Sequence, residues 1–234
     1  MFVDMFSMAR IAVITPTVNT AHLERCIQSV KKQTVRTEHY VINDGKPDFS
    51  CGAEHIINLP ENTGRAAGKI WNGQRIYAGL PFLINADFIL FLDEDNWFEP
   101  DHVESMVDHI MENKLDWCYS LRNIMTKEGG FVCKDDCESL GKWSTFYDKN
   151  LRFVDTSCYC IRGDIAPKVS PFLYTGGWGE DRIFYKQLSQ KYTHFECTGK
   201  YSVNYRARPD LINMFVQGNE LMKQHQPNQP WRKQ

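Results

Sequence analysis

Short apolar runs alternate with amphipathic stretches along the first half of the chain. Arg10 to Thr15 is apolar and is stopped by Pro16, which predicts a buried strand. Asn19 or Thr20 is suited to cap a helix that places Leu23, Cys26, Ile27 and Val30 on one face. His39 to Asn43 reads as a second strand closed by Asp44-Gly45, and His55 to Leu59 as a third ending at Pro60. A second helix is expected from Gly64 to about Leu80, with Ala66, Ala67, Ile70 and Trp71 available for packing. Phe88 to Leu92 is the most apolar strand, and it runs directly into Asp93-Glu94-Asp95-Asn96. A third helix follows Pro100, with Val103, Met106, Val107, Ile110 and Met111 on one face. Strands alternating with helices imply right-handed crossovers and a mainly parallel sheet.

Beyond Trp117 the pattern loosens. Trp117 to Met125 predicts a strand, Lys127 to Gly130 a turn, and Phe131 to Cys133 its partner. A charged and aromatic stretch from Lys134 to Phe153 precedes another expected strand, Asp155 to Arg162. The loop Gly176-Gly-Trp-Gly179 leads into a helix from about Glu180 to Tyr192, and two short strands are expected near Phe195 and Val203. No internal repeat or linker divides the chain. The reading is therefore an N-terminal extension over residues 1–9, one domain over 10–223, and a polar, frayed tail over 224–234.

Composition narrows the picture only a little. The 234 residues are 42% hydrophobic, enough for one α/β domain with a substantial core. Lys and Arg number 27 against 29 Asp and Glu, so nothing favours nucleic acid as a partner. No apolar run is long enough to span a bilayer, and Asp4 interrupts any leader-like start, so a soluble cytoplasmic protein is expected. Of the eight cysteines, Cys26, Cys118, Cys158 and Cys160 lie in apolar segments. No Cys-x-x-Cys pair exists, so reduced core thiols are expected rather than zinc ligands or disulfides.

Candidate chemistry collects at three strand ends: Thr15-Pro16-Thr17, Asp44-Gly45 and Asp93-Glu94-Asp95. Ligands of open parallel sheets bind beyond the carboxyl ends of the strands, so all three are expected at one edge. Asp93 and Asp95 are two apart, and in an extended chain their carboxylates lean to the same side. That arrangement suits Mg²⁺ or Mn²⁺, although an acidic turn after a core strand gives the same pattern. Asp44-Gly45 is a common hairpin turn, but Lys46-Pro47 follows it, which leaves Asp44 free to accept the imide hydrogen of a base. Glu180 and Asp181 open a helix, where acidic residues are ordinary; burial beside Trp178 would make Asp181 a stronger base.

As an ordered set these residues resemble the family 2 glycosyltransferases, which have the GT-A fold. The matching pieces are Ile11-Ala-Val-Ile-Thr-Pro-Thr17, the helix from Leu23 to Gln33, and Val41-Ile-Asn-Asp44-Gly45. Asn62-Thr-Gly64, Phe91-Leu-Asp-Glu-Asp95, Pro100 and Gly179-Glu-Asp181 follow in order, so the resemblance runs from Ile11 to about Arg206. It implies a Rossmann-like α/β domain with a central mixed, mainly parallel sheet flanked by helices. Residues 10–115 would then bind the nucleotide-sugar donor, and residues 116–223 the acceptor.

The resemblance also implies roles. Thr15, Pro16 and Thr17 would line the nucleotide pocket, Asp44 would contact the base, and Lys69 would face the donor. Asp93 would contact the ribose or support the metal, Glu94 would stand with the donor contacts, and Asp95 would ligate Mn²⁺ or Mg²⁺. Asp181 would be the general base with Glu180 assisting, and Trp178 and Asp155 would meet the acceptor. The activity implied is inverting transfer, with UDP-sugar as the expected donor, onto a hydroxyl of a saccharide, a lipid-linked or a protein acceptor. Many members carry a late histidine as a further metal ligand. Here Tyr205-Arg206-Ala-Arg208 has none, leaving His194 as a substitute or Arg206 or Arg208 to reach the diphosphate. The Gln-x-x-Arg-Trp signature of processive synthases is absent, which favours single additions. Two other readings remain: a catalytically silent nucleotide- or carbohydrate-binding module, and a nucleotidyltransferase. The second is disfavoured by the lack of a glycine-rich basic loop after the first strand. Peripheral membrane contact through Trp231-Arg232-Lys233 stays open.

Overall fold

The computed structural model describes residues 9–46, 48–66, 69–70, 73–174 and 179–232, with the backbone alone described at 65–66 and 69–70. The chain order begins β1 (Ile11–Thr17), α1 (Leu23–Lys31), β2 (Glu38–Asp44), β3 (His55–Leu59), β4 (Arg65–Ala66), β5 (Lys69–Ile70) and α2 (Gln74–Gly79). It continues β6 (Phe88–Phe91), β7 (Trp97–Phe98), α3 (His102–Asn113), β8 (Trp117–Met125), β9 (Phe131–Lys134) and β10 (Tyr159–Arg162). The last elements are α4 (Ala166–Val169), α5 (Glu180–Lys191), β11 (Phe195–Arg206) and α6 (Ile212–His225).

A nine-stranded mixed sheet forms the centre, in the order β3-β2-β1-β6-β10-β8-β11-β7, with β9 added beside β8. The pairings make β1, β2, β3, β6, β8 and β11 point one way, six strands of the nine. β1 and β6 are buried at every position because both faces of the sheet are covered there. α1 packs against β2 and β7, and α3 against β8 and β11. Trp117, Tyr119 and Tyr159 are fully buried, and Trp117 stacks on Phe195 with ring centroids 4.0 Å apart. All eight cysteines carry free thiols. Among the described residues no helix is long and apolar enough to cross a membrane.

Several segments differ from expectation. The helix anticipated from Gly64 begins only at Gln74, after the small β4–β5 ladder, while Ala67 and Trp71 lie outside the described residues. Gly64, Gly68 and Gly73 interrupt the helical spacing, and Gly73 takes φ 77° where an added Cβ would meet Pro16 at 2.7 Å. His22, not Asn19 or Thr20, occupies the cap position of α1, and Asn19 adopts φ 64° in the preceding loop. The segment from Asp155 is a short 3₁₀ turn over Thr156–Cys158 before β10 starts at Tyr159. The two late strands are one, because β11 continues through a bulge at Gly199, where φ is 75°.

The polar tail is not frayed over its described length. Trp231 is 1% exposed, and its Nε1 donates to Asp136 Oδ1 at 2.7 Å. An indole removed from water and given a carboxylate acceptor outweighs the polar character of its neighbours.

Candidate active site

The parallel run β2-β1-β6 brings Thr17, Asp44 and Asp93 to a single edge of the sheet. β10 runs the other way, with Cys160 opposite Leu90, so its start delivers Asp155 and Ser157 to that same edge. β7 pairs with the end of β11, Trp97 opposite Asn204, which sets Arg206 beside Asn96. The three strand ends singled out in the sequence therefore meet, joined by a fourth group from the second half of the chain.

The first-strand residues serve mostly to build this edge. Thr15 is fully buried, and its hydroxyl is 2.9 Å from His39 Nε2, below the surface that a ligand would reach. Pro16 is buried against Gly73. Thr17 Oγ1 donates to Glu94 Oε2 at 2.5 Å, and the Val18 and Thr20 amides donate to the same carboxylate. Glu94 thus fastens the loop between β1 and α1. Asp44 Oδ1 accepts from the Thr63 amide at 2.6 Å, tying β2 to the loop after β3. Beside it, a hollow of about 520 Å³ is lined by Asn19, Gly45, Lys46, Asp48, Phe49 and Ser50. Lys69 sits in β5, with its side chain outside the described residues, as is all of Trp178.

Asp93 is held by three side chains. Tyr77 donates its hydroxyl to Oδ1 at 2.7 Å, while Ser157 Oγ and Asn96 Nδ2 approach Oδ2 at 3.4 and 3.5 Å. Burial, followed by repulsion from Asp155 and Asp95, pushes its carboxyl up to about 7 despite those donors. Asp95 is also raised, first by burial and then by Glu94 and Asp155. Its backbone carbonyl accepts from Arg206 Nε at 3.1 Å, while Arg206 also bonds the Lys127 carbonyl and lies 5.2 Å from the Trp97 ring centroid.

Behind this pair lies an ion cluster that the sequence did not mark. Arg122, 2% exposed, donates Nε to Asp135 at 2.7 Å, Nη1 to Asp155 at 2.6 Å and Nη2 to Glu138 at 2.7 Å. Its guanidinium carbon lies 4.2 Å from the Tyr205 ring centroid. Asp155 Oδ1 accepts from the Ser157 amide at 3.0 Å, so both carboxylate oxygens are used within the protein. Asp155 thus stands between Arg122 and the turn that carries Ser157.

Asp181 lies in the first turn of α5, and its Oδ1 accepts from the Arg182 amide at 2.9 Å. Burial and then the Asp155 charge raise its carboxyl to about 6. Glu180 precedes it and is buried. The first turn of α5 thus brings Asp181 within electrostatic reach of Asp155.

Among the described residues no group of three His, Cys, Asp or Glu is placed to enclose a metal ion. Asp93 and Asp95 nevertheless offer hard oxygen donors, their carboxyls raised first by burial and further by neighbouring carboxylates. That donor set fits Mg²⁺ or Mn²⁺, which bind through one or two carboxylates and complete their shell with phosphate oxygens and water. His194 is not available as a third ligand. It precedes β11 at the opposite edge, where its carbonyl accepts from the Asp116 amide. Arg208 pairs with Asp210 in solvent, which leaves Arg206 as the cation beside the acidic loop.

Tyr77, Ser157, Asn96 and Arg122 support the candidate site, and the sequence assigned none of them a role there. Tyr77 fell within a helix reading, and Ser157 lies 64 positions from Asp93. Only the repeated acids around Arg122, Asp135-Asp136 and Glu138, hinted at a buried cation.

No family model matches the chain. It is 30% identical over 118 residues to the glycosyltransferase GlyA of Streptococcus pneumoniae serotype 4, an alignment covering 46% of this chain and 16% of that protein. The chain thus spans about a sixth of that relative's length. Among solved structures it is similar to residues 1–349 of S. aureus TarS in complex with UDP, at TM-score 0.61 and 14% identity, covering 92% of this chain and 65% of that one. The complex of TarS 1–349 with UDP-GlcNAc gives TM-score 0.62 and 16% identity, covering 85% and 59% of the two chains. At these identities the likeness is one of fold.

Proposed function

We propose that this chain is an inverting glycosyltransferase that moves a sugar from a UDP-sugar to an acceptor hydroxyl, with a divalent cation held at Asp93 and Asp95. The observation that carries the reading is the meeting of Asp93, Asp95 and Asp181 around Asp155, from three separate elements, at the ligand-binding edge of the sheet. The sequence likeness to a glycosyltransferase and the fold likeness to UDP-bound and UDP-GlcNAc-bound TarS support it.

The chemistry follows from the placement. Asp181 takes the proton of the acceptor hydroxyl as its oxygen attacks the anomeric carbon. The bond from that carbon to the diphosphate oxygen breaks on the far face, and its electron pair leaves with UDP. A carboxylate titrating near 6 is a stronger base than an ordinary aspartate and remains ionised at neutral pH. Tyr77 and Ser157 fix the Asp93 carboxylate, which orients the donor at the β6 end. A bound Mg²⁺ or Mn²⁺ would neutralise charge developing on the departing diphosphate. Arg206, anchored on the Asp95 carbonyl, adds a fixed positive charge to the same loop. The Asp44 edge and the adjoining hollow receive the base.

The test is release of UDP from UDP-GlcNAc with Mn²⁺ present. At saturating Mn²⁺, turnover by the wild-type chain should rise with pH through about 6 and then level, because the base must be ionised. Asp181→Asn should lose about 10²- to 10⁴-fold in rate, with UDP affinity by calorimetry almost unchanged. Undiminished turnover in that variant removes Asp181 from the role. Absence of UDP binding by the wild-type chain removes the nucleotide-sugar reading itself.

A further inference from the structure

The C-terminal segment does more than cover apolar surface. Trp231 packs edge-to-face on Trp143, with centroids 5.9 Å apart, and donates its Nε1 to Asp136. Arg232 donates to both oxygens of the same carboxylate and to the Tyr201 hydroxyl. Tyr201 also donates to Asp136 Oδ1, and the Asp136 amide donates to Asn219 on α6 at 3.0 Å. These donors hold the Asp136 carboxyl below its ordinary range although burial opposes them. One buried acid is thus gripped from the tail, from β11 and from α6.

The residues on either side of Asp136 bond with Arg122 and Asp155. Asp135 accepts from Arg122 and from the amides of Cys137, Glu138 and Ser139, closing a tight turn. Ser139 Oγ accepts from the Asp155 amide at 2.8 Å. Glu138 accepts from Arg122 and from the Tyr147 hydroxyl at 3.1 Å, and Tyr147 in turn accepts from Arg182, the neighbour of Asp181. Two chains of contacts therefore lead from Asp136 toward the acid cluster: one through Ser139 to Asp155, the other through Glu138 and Tyr147 to the start of α5. The tail and α6 lie on the outside of this turn. On that side Gly218 leaves no Cβ, because one would approach Cys137 Sγ to 2.9 Å.

We propose that Trp231 and Arg232, by clasping Asp136, are positioning residues that hold the 135–147 loop as the acceptor-side wall of the site. The acceptor assignment rests on the glycosyltransferase reading, whereas the clasp itself does not. The Asp136 position fixes Asp135, and Asp135 fixes the turn that orients both Glu138 and Ser139.

Hydrogen exchange on the full chain tests the clasp directly. In Trp231→Ala the amides of Cys137, Glu138, Ser139 and Asp155 should exchange at least about tenfold faster, with the β1 amides of Val13 and Ile14 unchanged. Asp136→Asn should loosen the same amides, and Trp231→Phe should restore part of the protection through its ring. In UDP-GlcNAc hydrolysis, the Trp231→Ala variant should lose about tenfold in kcat with little change in KM, since the donor edge lies elsewhere. Unchanged protection at 137–139 in both Trp231→Ala and Asp136→Asn, or a uniform loss across the sheet, overturns the proposal. So does a loosened loop with full kcat. A wild-type chain that turns over no donor refutes the glycosyltransferase reading instead, and the exchange result then decides on the clasp alone.

Discussion

Replacing Tyr77 with Phe isolates one interaction at the candidate site while preserving the ring that meets Phe91 edge-on. The change removes a 2.7 Å hydrogen bond to Asp93 Oδ1 and nothing else of comparable strength. Tyr77 is itself raised well above the usual tyrosine range, by burial and by the Asp93 charge, so it donates throughout the accessible pH range. Asp93 is raised from 3.8 to about 7, so the folded state holds its proton more tightly than the unfolded chain does. This acid therefore contributes a destabilisation that grows as pH rises from about 4 and is complete above about 7. The Tyr77 bond favours the ionised form, and its removal pushes Asp93 higher still. A hydrogen bond to a neutral acid is worth about 1 kcal/mol and one to a charged acid about 1.5–3 kcal/mol. Tyr77→Phe should thus cost about 1 kcal/mol near pH 5.5 and about 2–3 kcal/mol near pH 8.5. Urea denaturation at the two pH values, with m unchanged, reads the difference. Equal losses at both, or a larger loss in acid, would falsify the account of Asp93.

Mn²⁺ should raise Tm more at about pH 8 than at about pH 5.5, because protons compete for an acid titrating near 7. Asp95→Asn should remove most of that rise; a pH-independent increase would place the ion elsewhere. Arg122→Met should destabilise by about 3–5 kcal/mol, because it strands Asp135, Asp155 and Glu138 in a buried setting. Thermal melts should show the loss shrinking toward pH 5 as the stranded acids take up protons. A loss independent of pH would mean that packing on Tyr205, not charge, is what Arg122 supplies.

The sequence was most legible where local pattern and tertiary setting agree. β3 and β8 begin and end at the expected residues, His55–Leu59 and Trp117–Met125, because each is a strongly β-forming run bounded by turn residues. The segment after Gly64 failed because apolar residues at helical spacing were weighed above the glycines between them. Trp231 failed for a different reason: its acceptor, Asp136, lies 95 positions away. The candidate acids divide the same way. Asp93, Asp95 and Asp181 were visible as acids at a strand end or in the first turn of a helix. Their burial, which raises all three carboxyls most, was not visible, and neither was the place of Asp155 beside Arg122; the Asp155 charge adds to each.

By itself the sequence determined that β1, β2, β3 and β6 are strands, that they run parallel, and so that Thr17, Asp44 and Asp93 reach one edge. Periodicity and turn chemistry are local properties, and the short connections leave few topologies open. Only the tertiary structure decided which partners within the protein these carboxylates take. Glu94 and Asp155 look as free as Asp95 in the sequence, but folding commits their oxygens to Thr17, Val18 and Thr20, or to Arg122 and Ser157. A carboxylate's chemistry depends on its solvation and on the charges near it, and both are set by residues brought close from distant parts of the chain.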